Sequence, residues 1–147
     1  MTSHDPTVPP PGLPVPVDDG AADHLPGQAI PALVLPSTSG EPIDLAAAAA
    51  AAGTLVLSCY PRTGRPGEDP PPGWDEIPGA RGCTPQACAF RDHHDELAGL
   101  GARMLGLSAQ PLEEQLEAAA RLGLPYPVFP PDRNAAEVAA WLRRHPA

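Results

Sequence analysis

The chain has 147 residues, 23 of them proline and 14 glycine, and its 9 basic residues stand against 18 acidic ones for a net charge of −9. That length suits one domain with one hydrophobic core, and excludes a two-domain enzyme. An acidic chain without a basic run is a poor nucleic-acid binder, because phosphate neutralisation supplies most of that affinity. No apolar stretch approaches the ~18–20 residues of a membrane span. The first residues lack the basic and apolar segments of a secretory signal. The expectation is a cytoplasmic protein that binds neither nucleic acid nor membrane. In that setting three cysteines are reactive thiols or metal ligands more often than disulfides.

Residues 1–24 form a proline-rich, acidic leader, too poor in buriable apolar surface to offset its ordering entropy, and it reads as disordered or extended. The folded domain spans 25–147. Residues 32–35 and 43–45, separated by a turn at 37–40, predict a hairpin. Asp44 caps a helix over 46–52, an alanine run of high propensity that Gly53 ends. Residues 54–60 form an apolar, partly β-branched strand covered on both faces, with Cys59 in its core. Residues 61–81 are loop, and 68–81 read as an insertion. Thr84 and Pro85 open a helix that Gly99 stops. Residues 102–108 give the next buried strand. A helix over 111–122 carries Leu112, Leu116, Ala119 and Ala120 on one stripe and Glu113, Glu114 and Glu117 on the other. A short strand follows at 126–129. Asn134 caps a last helix to Arg144, with Val138, Trp141 and Leu142 inward. Alternating strands and helices imply an α/β sandwich around a central sheet.

The chemistry concentrates in Gly82-Cys83-Thr84-Pro85-Gln86-Ala87-Cys88-Ala89-Phe90-Arg91-Asp92-His93-His94. Cys83 lies in or beside the first turn of a helix, where unpaired N–H groups and the helix dipole favour a thiolate. A thiolate is the form that attacks a peroxide or a disulfide. Cys88 is five positions on, roughly 140° around the axis of an intact helix, and the Cα separation exceeds the ~7 Å that a disulfide tolerates. The sulfurs join only if the first turns unwind, so oxidation of Cys83 to a sulfenic acid would precede local unfolding and condensation with Cys88. Cys83, Cys88, His93 and His94 match no common zinc-finger spacing.

These residues resemble the peroxiredoxins, most closely their bacterioferritin-comigratory or Q-type branch. The resemblance rests on the strand 55–59, Tyr60-Pro61-Arg62, Gly82-Cys83-Thr84, Cys88, Phe90-Arg91-Asp92 and the strand at 102–108. It implies a thioredoxin-like three-layer sandwich, a central mixed sheet flanked by helices. It also implies Cys83 as peroxidatic thiol, Cys88 as resolving thiol, no metal or organic cofactor, a peroxide substrate, and thioredoxin or a similar dithiol as reductant. Two features depart from the pattern. Where the family places a Thr three residues before the peroxidatic Cys and a Pro four before that, this chain has Ala80 and Glu76. The family's C-terminal β-hairpin, with the Arg that holds the thiolate, has no counterpart; roughly 40 residues are missing against a domain of usual size. The expected activity is therefore a thiol-dependent peroxidase for hydrogen peroxide or small organic hydroperoxides. The alternative is a shortened, catalytically weak thioredoxin-fold module for redox sensing or interaction.

Overall fold

In a computed structural model, which describes residues 5–130, two small sheets and four helices follow one another along the chain. Strands β1 (Val34–Leu35) and β2 (Ile43–Asp44) pair antiparallel, with Val34 opposite Asp44. Helix α1 (Leu45–Ala51) starts directly from β2 because the Asp44 carboxylate accepts from the N–H groups of Ala46 and Ala47 at 2.9 and 3.1 Å. Those are two of the four donors that a helix start leaves unpaired.

The main sheet is parallel, in the order β3 (Thr54–Tyr60), β4 (Ala102–Ser108), β5 (Val128–Phe129). The β3–β4 ladder runs in unbroken register from Thr54–Ala102 to Tyr60–Ser108. The helical pair α2 (Cys83–Asp92) and α3 (His94–Gly99) makes the first crossover, and α4 (Leu112–Leu122) makes the second. The parallel and antiparallel ladders of a mixed architecture are thus both present, in separate sheets. One core cluster joins Leu35, Leu45 and Ala48 to Leu105 and Phe129, and the other joins Met104, Tyr126 and Val128. Among the described residues, no helix is long and apolar enough to cross a membrane.

Several sequence expectations are corrected. Cys59 is exposed rather than core. Among the described residues β3 pairs on one side only, and none of its side chains reaches full burial, whereas central β4 buries Met104 and Leu105. Thr84 lies inside α2 instead of capping it. Gly82 is the cap residue, and the Thr84 hydroxyl accepts from the Gly64 N–H at 2.9 Å. The single helix expected up to Gly99 breaks at His93, whose ψ of 12° is not helical.

The stripe on α4 is rotated as well. Gln115, Ala118 and Leu122 are buried, while Leu116 is 46% exposed. Gln115 is drawn inward because its amide donates to the carbonyls of Ser108 and Gln110 at 3.0 and 2.6 Å, sealing the end of β4. The helix expected from Asn134 to Arg144, and with it the question of the C-terminal hairpin, lies outside the described residues.

Asp44→Ala should lower unfolding stability by about 1 kcal/mol through loss of the cap, and Asp44→Asn by much less. Urea denaturation of both variants checks this, and equal losses would show that the carboxylate charge, not the cap bonds, holds α1.

Candidate active site

Parallel strands present their carboxyl ends on one side, and in open α/β sheets that rim is where sites form. Here the rim lies just beyond Tyr60 and Ser108, the last pair of the ladder. The chain leaves β3 as Pro61-Arg62-Thr63-Gly64 and is held in place at once. Thr63 is buried, and both its N–H and its hydroxyl donate to Gln110 Oε1, at 2.7 and 3.1 Å. Gly64 is tied to α2 through Thr84. These two links bring the residues after β3, the residues after β4 and the start of α2 into one small space.

Cys83 opens α2 there, half-buried. The backbone N–H groups of Arg62 and of Cys83 itself point at its sulfur and favour the thiolate. Burial acts against them and is the larger influence, so the thiol's pKa lies above its ordinary value. The helix start alone was expected to lower it. That expectation is corrected, because desolvation penalises the anion more than two peptide dipoles reward it. The Tyr60 hydroxyl shares this region: burial, with Cys83 nearby as the next cause, pushes its pKa up to about 12, so it stays protonated.

Beside Cys83 lies a cavity of about 40 Å³ whose walls include Arg62, Arg65, Arg81 and Trp74. Two of these arginines already have carboxylates. Arg81 meets Asp75 through both Nε and Nη2, at 2.6 and 2.7 Å. Arg65 meets Glu117 at 3.2 Å and Glu68 at 3.6 Å. Arg62 contributes its backbone N–H to the sulfur and its side chain to the wall.

Cys88 sits one turn further along α2, half-buried and on another side of the helix. All three cysteines are free. Arg91 lies within hydrogen-bonding range of Cys88, and its Nη1 donates to the Leu122 carbonyl at 2.8 Å. The Tyr126 hydroxyl donates to the Ala87 carbonyl at 3.1 Å, next to Cys88. Cys83 and Cys88 are therefore on one helix but held apart by its regular geometry. Cys59 is on β3.

Sequence reasoning singled out Cys83 and Cys88, left Thr63 and Trp74 without an assigned role, and missed Gln110. For Trp74 there was a signal: one large aromatic in a proline- and glycine-rich insertion. Gln110 gave none, since a polar residue after a strand is ordinary until its partner, 47 positions away, is known.

A free thiol at the first turn of a helix, at the carboxyl rim of a parallel sheet, defines a thioredoxin-fold thiol protein. The Redoxin family model matches residues 25–142, and the chain belongs to that family. It is similar to the chloroplastic peroxiredoxin Q of Arabidopsis thaliana, 32% identical over 108 residues, covering 74% of this chain and 42% of that protein. Its structure is similar to peroxidoxin BcpB from Mycobacterium tuberculosis, with a TM-score of 0.57 and 27% identity over 76% of this chain and 62% of that one. Peroxiredoxin Q of Xanthomonas campestris shares the fold at a TM-score of 0.51 and 23% identity, over 86% of this chain and 64% of that one. The chain thus spans less than half of the Arabidopsis relative and less than two thirds of either solved neighbour.

The raised thiol pKa sets a pH dependence. Modification of Cys83 by iodoacetamide, followed by peptide mapping, should accelerate nearly tenfold per unit from about pH 7 to about pH 8.5 without levelling, because only the thiolate reacts. A plateau already reached near pH 7 would mean that the peptide dipoles outweigh burial.

Proposed function

We propose that the chain is a thiol peroxidase in which Cys83 is the peroxidatic and Cys88 the resolving cysteine. The observation that carries this reading is the Cys83 sulfur at the start of α2, receiving two backbone N–H groups at the edge of a small cavity lined by arginines. Membership of the Redoxin family supports it.

The chemistry divides into three balanced steps. The Cys83 thiolate attacks the terminal oxygen of a peroxide. An S–O bond forms, the O–O bond breaks, and the departing oxygen leaves as water or alcohol after taking a proton. Cys83 becomes a sulfenic acid, oxidised by two electrons. The Cys88 thiolate then attacks that sulfur and expels the hydroxyl as water, giving a Cys83–Cys88 disulfide. A dithiol such as thioredoxin restores both thiols by exchange. No metal or organic cofactor enters these steps. A reducing, cytoplasmic setting would keep the three cysteines free between turnovers.

Structure dictates where each step meets resistance. Attack needs the anion, which the peptide dipoles favour and burial opposes. Resolution needs the first turns of α2 to open. That end of the helix is suited to opening, because Gly82 supplies no side-chain cap and fraying of a terminal turn is among the least costly motions of a fold.

A second reading is favoured by one observation, the engagement of Arg65 and Arg81 by carboxylates. With little unpaired positive charge offered to the reacting oxygens, the domain would be a slow redox-sensing module. Loss of one preorganised donor at a transition state slows a reaction by about 10²–10³-fold. A second-order rate with hydrogen peroxide well above that of a free thiol supports the enzyme, and a rate equal to a free thiol's supports the sensor.

Cys83→Ser should reduce thioredoxin-coupled peroxide consumption to the reagent background. Cys88→Ser should leave the first oxidation of Cys83 intact while preventing turnover. After one equivalent of peroxide, peptide mapping of the unsubstituted chain should recover a Cys83–Cys88 bridge. A bridge to Cys59 instead would remove Cys88 from the mechanism.

A further inference from the structure

The leader reaches the cavity. Pro6 is buried and lines the same space as Cys83 and Trp74. It occupies the second position of a turn closed by the Val8 N–H to the Asp5 carbonyl at 3.2 Å, with the Asp5 carboxylate also accepting from the Thr7 N–H and hydroxyl at 2.9 and 2.7 Å. Proline is preferred at that position because its fixed φ pre-forms the turn. The ring rests on Gly64: a Cβ at residue 64 would lie 2.9 Å from the Pro6 Cβ, so the seat exists only because residue 64 has no side chain.

A second attachment follows in the 68–81 segment. The Gly79 N–H donates to the Pro14 carbonyl at 3.1 Å, and a Cβ on Gly79 would come within 2.9 Å of the Pro16 ring. Between these points the leader is mostly exposed, with Val8 at 64%. The first attachment lines the Cys83 space itself, and the second ties the leader to the segment that carries Trp74.

We infer that Pro6 and the inserted segment around Trp74 together form a roof over Cys83 that sets substrate size, admitting hydrogen peroxide and excluding bulky hydroperoxides. The cavity of about 40 Å³ is small beside the ~300–1,000 Å³ of ordinary small-molecule pockets. A cavity of that size, walled by Pro6 and Trp74, favours hydrogen peroxide over an aryl-substituted hydroperoxide. The inference deepens the peroxidase reading and rests on Cys83 as the reacting sulfur. The roof itself is a property of access, and access is measurable without turnover.

The test uses the full chain, Pro6→Gly and Trp74→Ala, with two readouts. The first is kcat/KM for cumene hydroperoxide relative to hydrogen peroxide. The second is the rate of Cys83 labelling by fluorescein maleimide relative to iodoacetamide, read at the Cys83 peptide. Either substitution should raise both ratios by tenfold or more, the gain coming from the large reagent. Ratios that stay within twofold in both variants overturn the roof. If the unsubstituted chain consumes no peroxide through Cys83, the peroxidase reading fails, and the labelling ratio alone decides the roof.

Discussion

The structure depends on seven residues of β3 lying in parallel register against seven of β4, from Thr54–Ala102 to Tyr60–Ser108. A parallel pair cannot be closed by a tight turn and needs a crossover of a dozen or more residues. Here the crossover contains the insertion and the helix that starts with Cys83. Because both strands stop at the same level, the chain after each emerges at one rim. Thr63 can then reach Gln110, and Gly64 can reach Thr84. A slip of one residue in the ladder would turn every side chain of one strand to the other face. It would also dissolve the Thr63–Gln110 link that sets the path leading to the Arg62 amide. The position of that amide against the Cys83 sulfur is thus a consequence of sheet register.

Electrostatics at the rim follow from composition. With twice as many acidic as basic residues, an arginine seldom stands far from a carboxylate. Glu117 alone serves Arg65 and Arg121, at 3.2 and 2.7 Å, and those guanidiniums hold its carboxyl below the usual carboxylate range. Arg121 also donates to the Gly64 carbonyl at 3.0 Å. The arginines near the cavity are therefore braces as much as sources of field. They fasten α4 and the loop after β3 to one another, and the thiol they surround is left to its peptide dipoles and to desolvation. Exposed ion pairs contribute little stability individually, so the bracing matters for position more than for energy.

How legible this was depended on whether a feature is written in neighbouring residues. The strand at 54–60, the strand at 102–108 and the Asp44 cap were readable because apolar runs and capping act within a few positions. That Cys83 and Cys88 share one helix was readable from the local signals that start it, whereas the burial that raises the Cys83 thiol's pKa was not. Thr84 was misplaced because its hydroxyl takes a donor from Gly64, 20 positions away, in preference to a local one. The stripe of α4 was misread because Gln115 is polar by composition but buried by two carbonyls that a one-dimensional pattern does not contain. Cys59 looked like core because its strand is apolar, yet burial is decided by neighbouring strands, and β3 has one among the described residues. Pro6 was hidden by its own segment. Proline-rich composition says that a stretch will not form a core, and is silent on whether one ring finds a seat.

The proposed reaction asks the same helix to be firm for attack and loose for resolution, and α2 differs along its length in that sense. Its second half is fastened: Tyr126 donates to the Ala87 carbonyl, Arg91 reaches the Leu122 carbonyl, and Phe90 packs against the cluster of Met104, Tyr126 and Val128. Its first turn rests on a glycine cap and on the Thr84–Gly64 bond, with Thr84 its buried residue. Cys83 belongs to the weakly held end and Cys88 to the border of the strongly held end. Opening from Gly82 inward would therefore move the Cys83 sulfur while leaving that of Cys88 in place. It would also withdraw Thr84 from Gly64, the residue on which Pro6 sits. Gly64 thus touches both the start of α2 and the seat of the leader, so the proposed unwinding would disturb the two together.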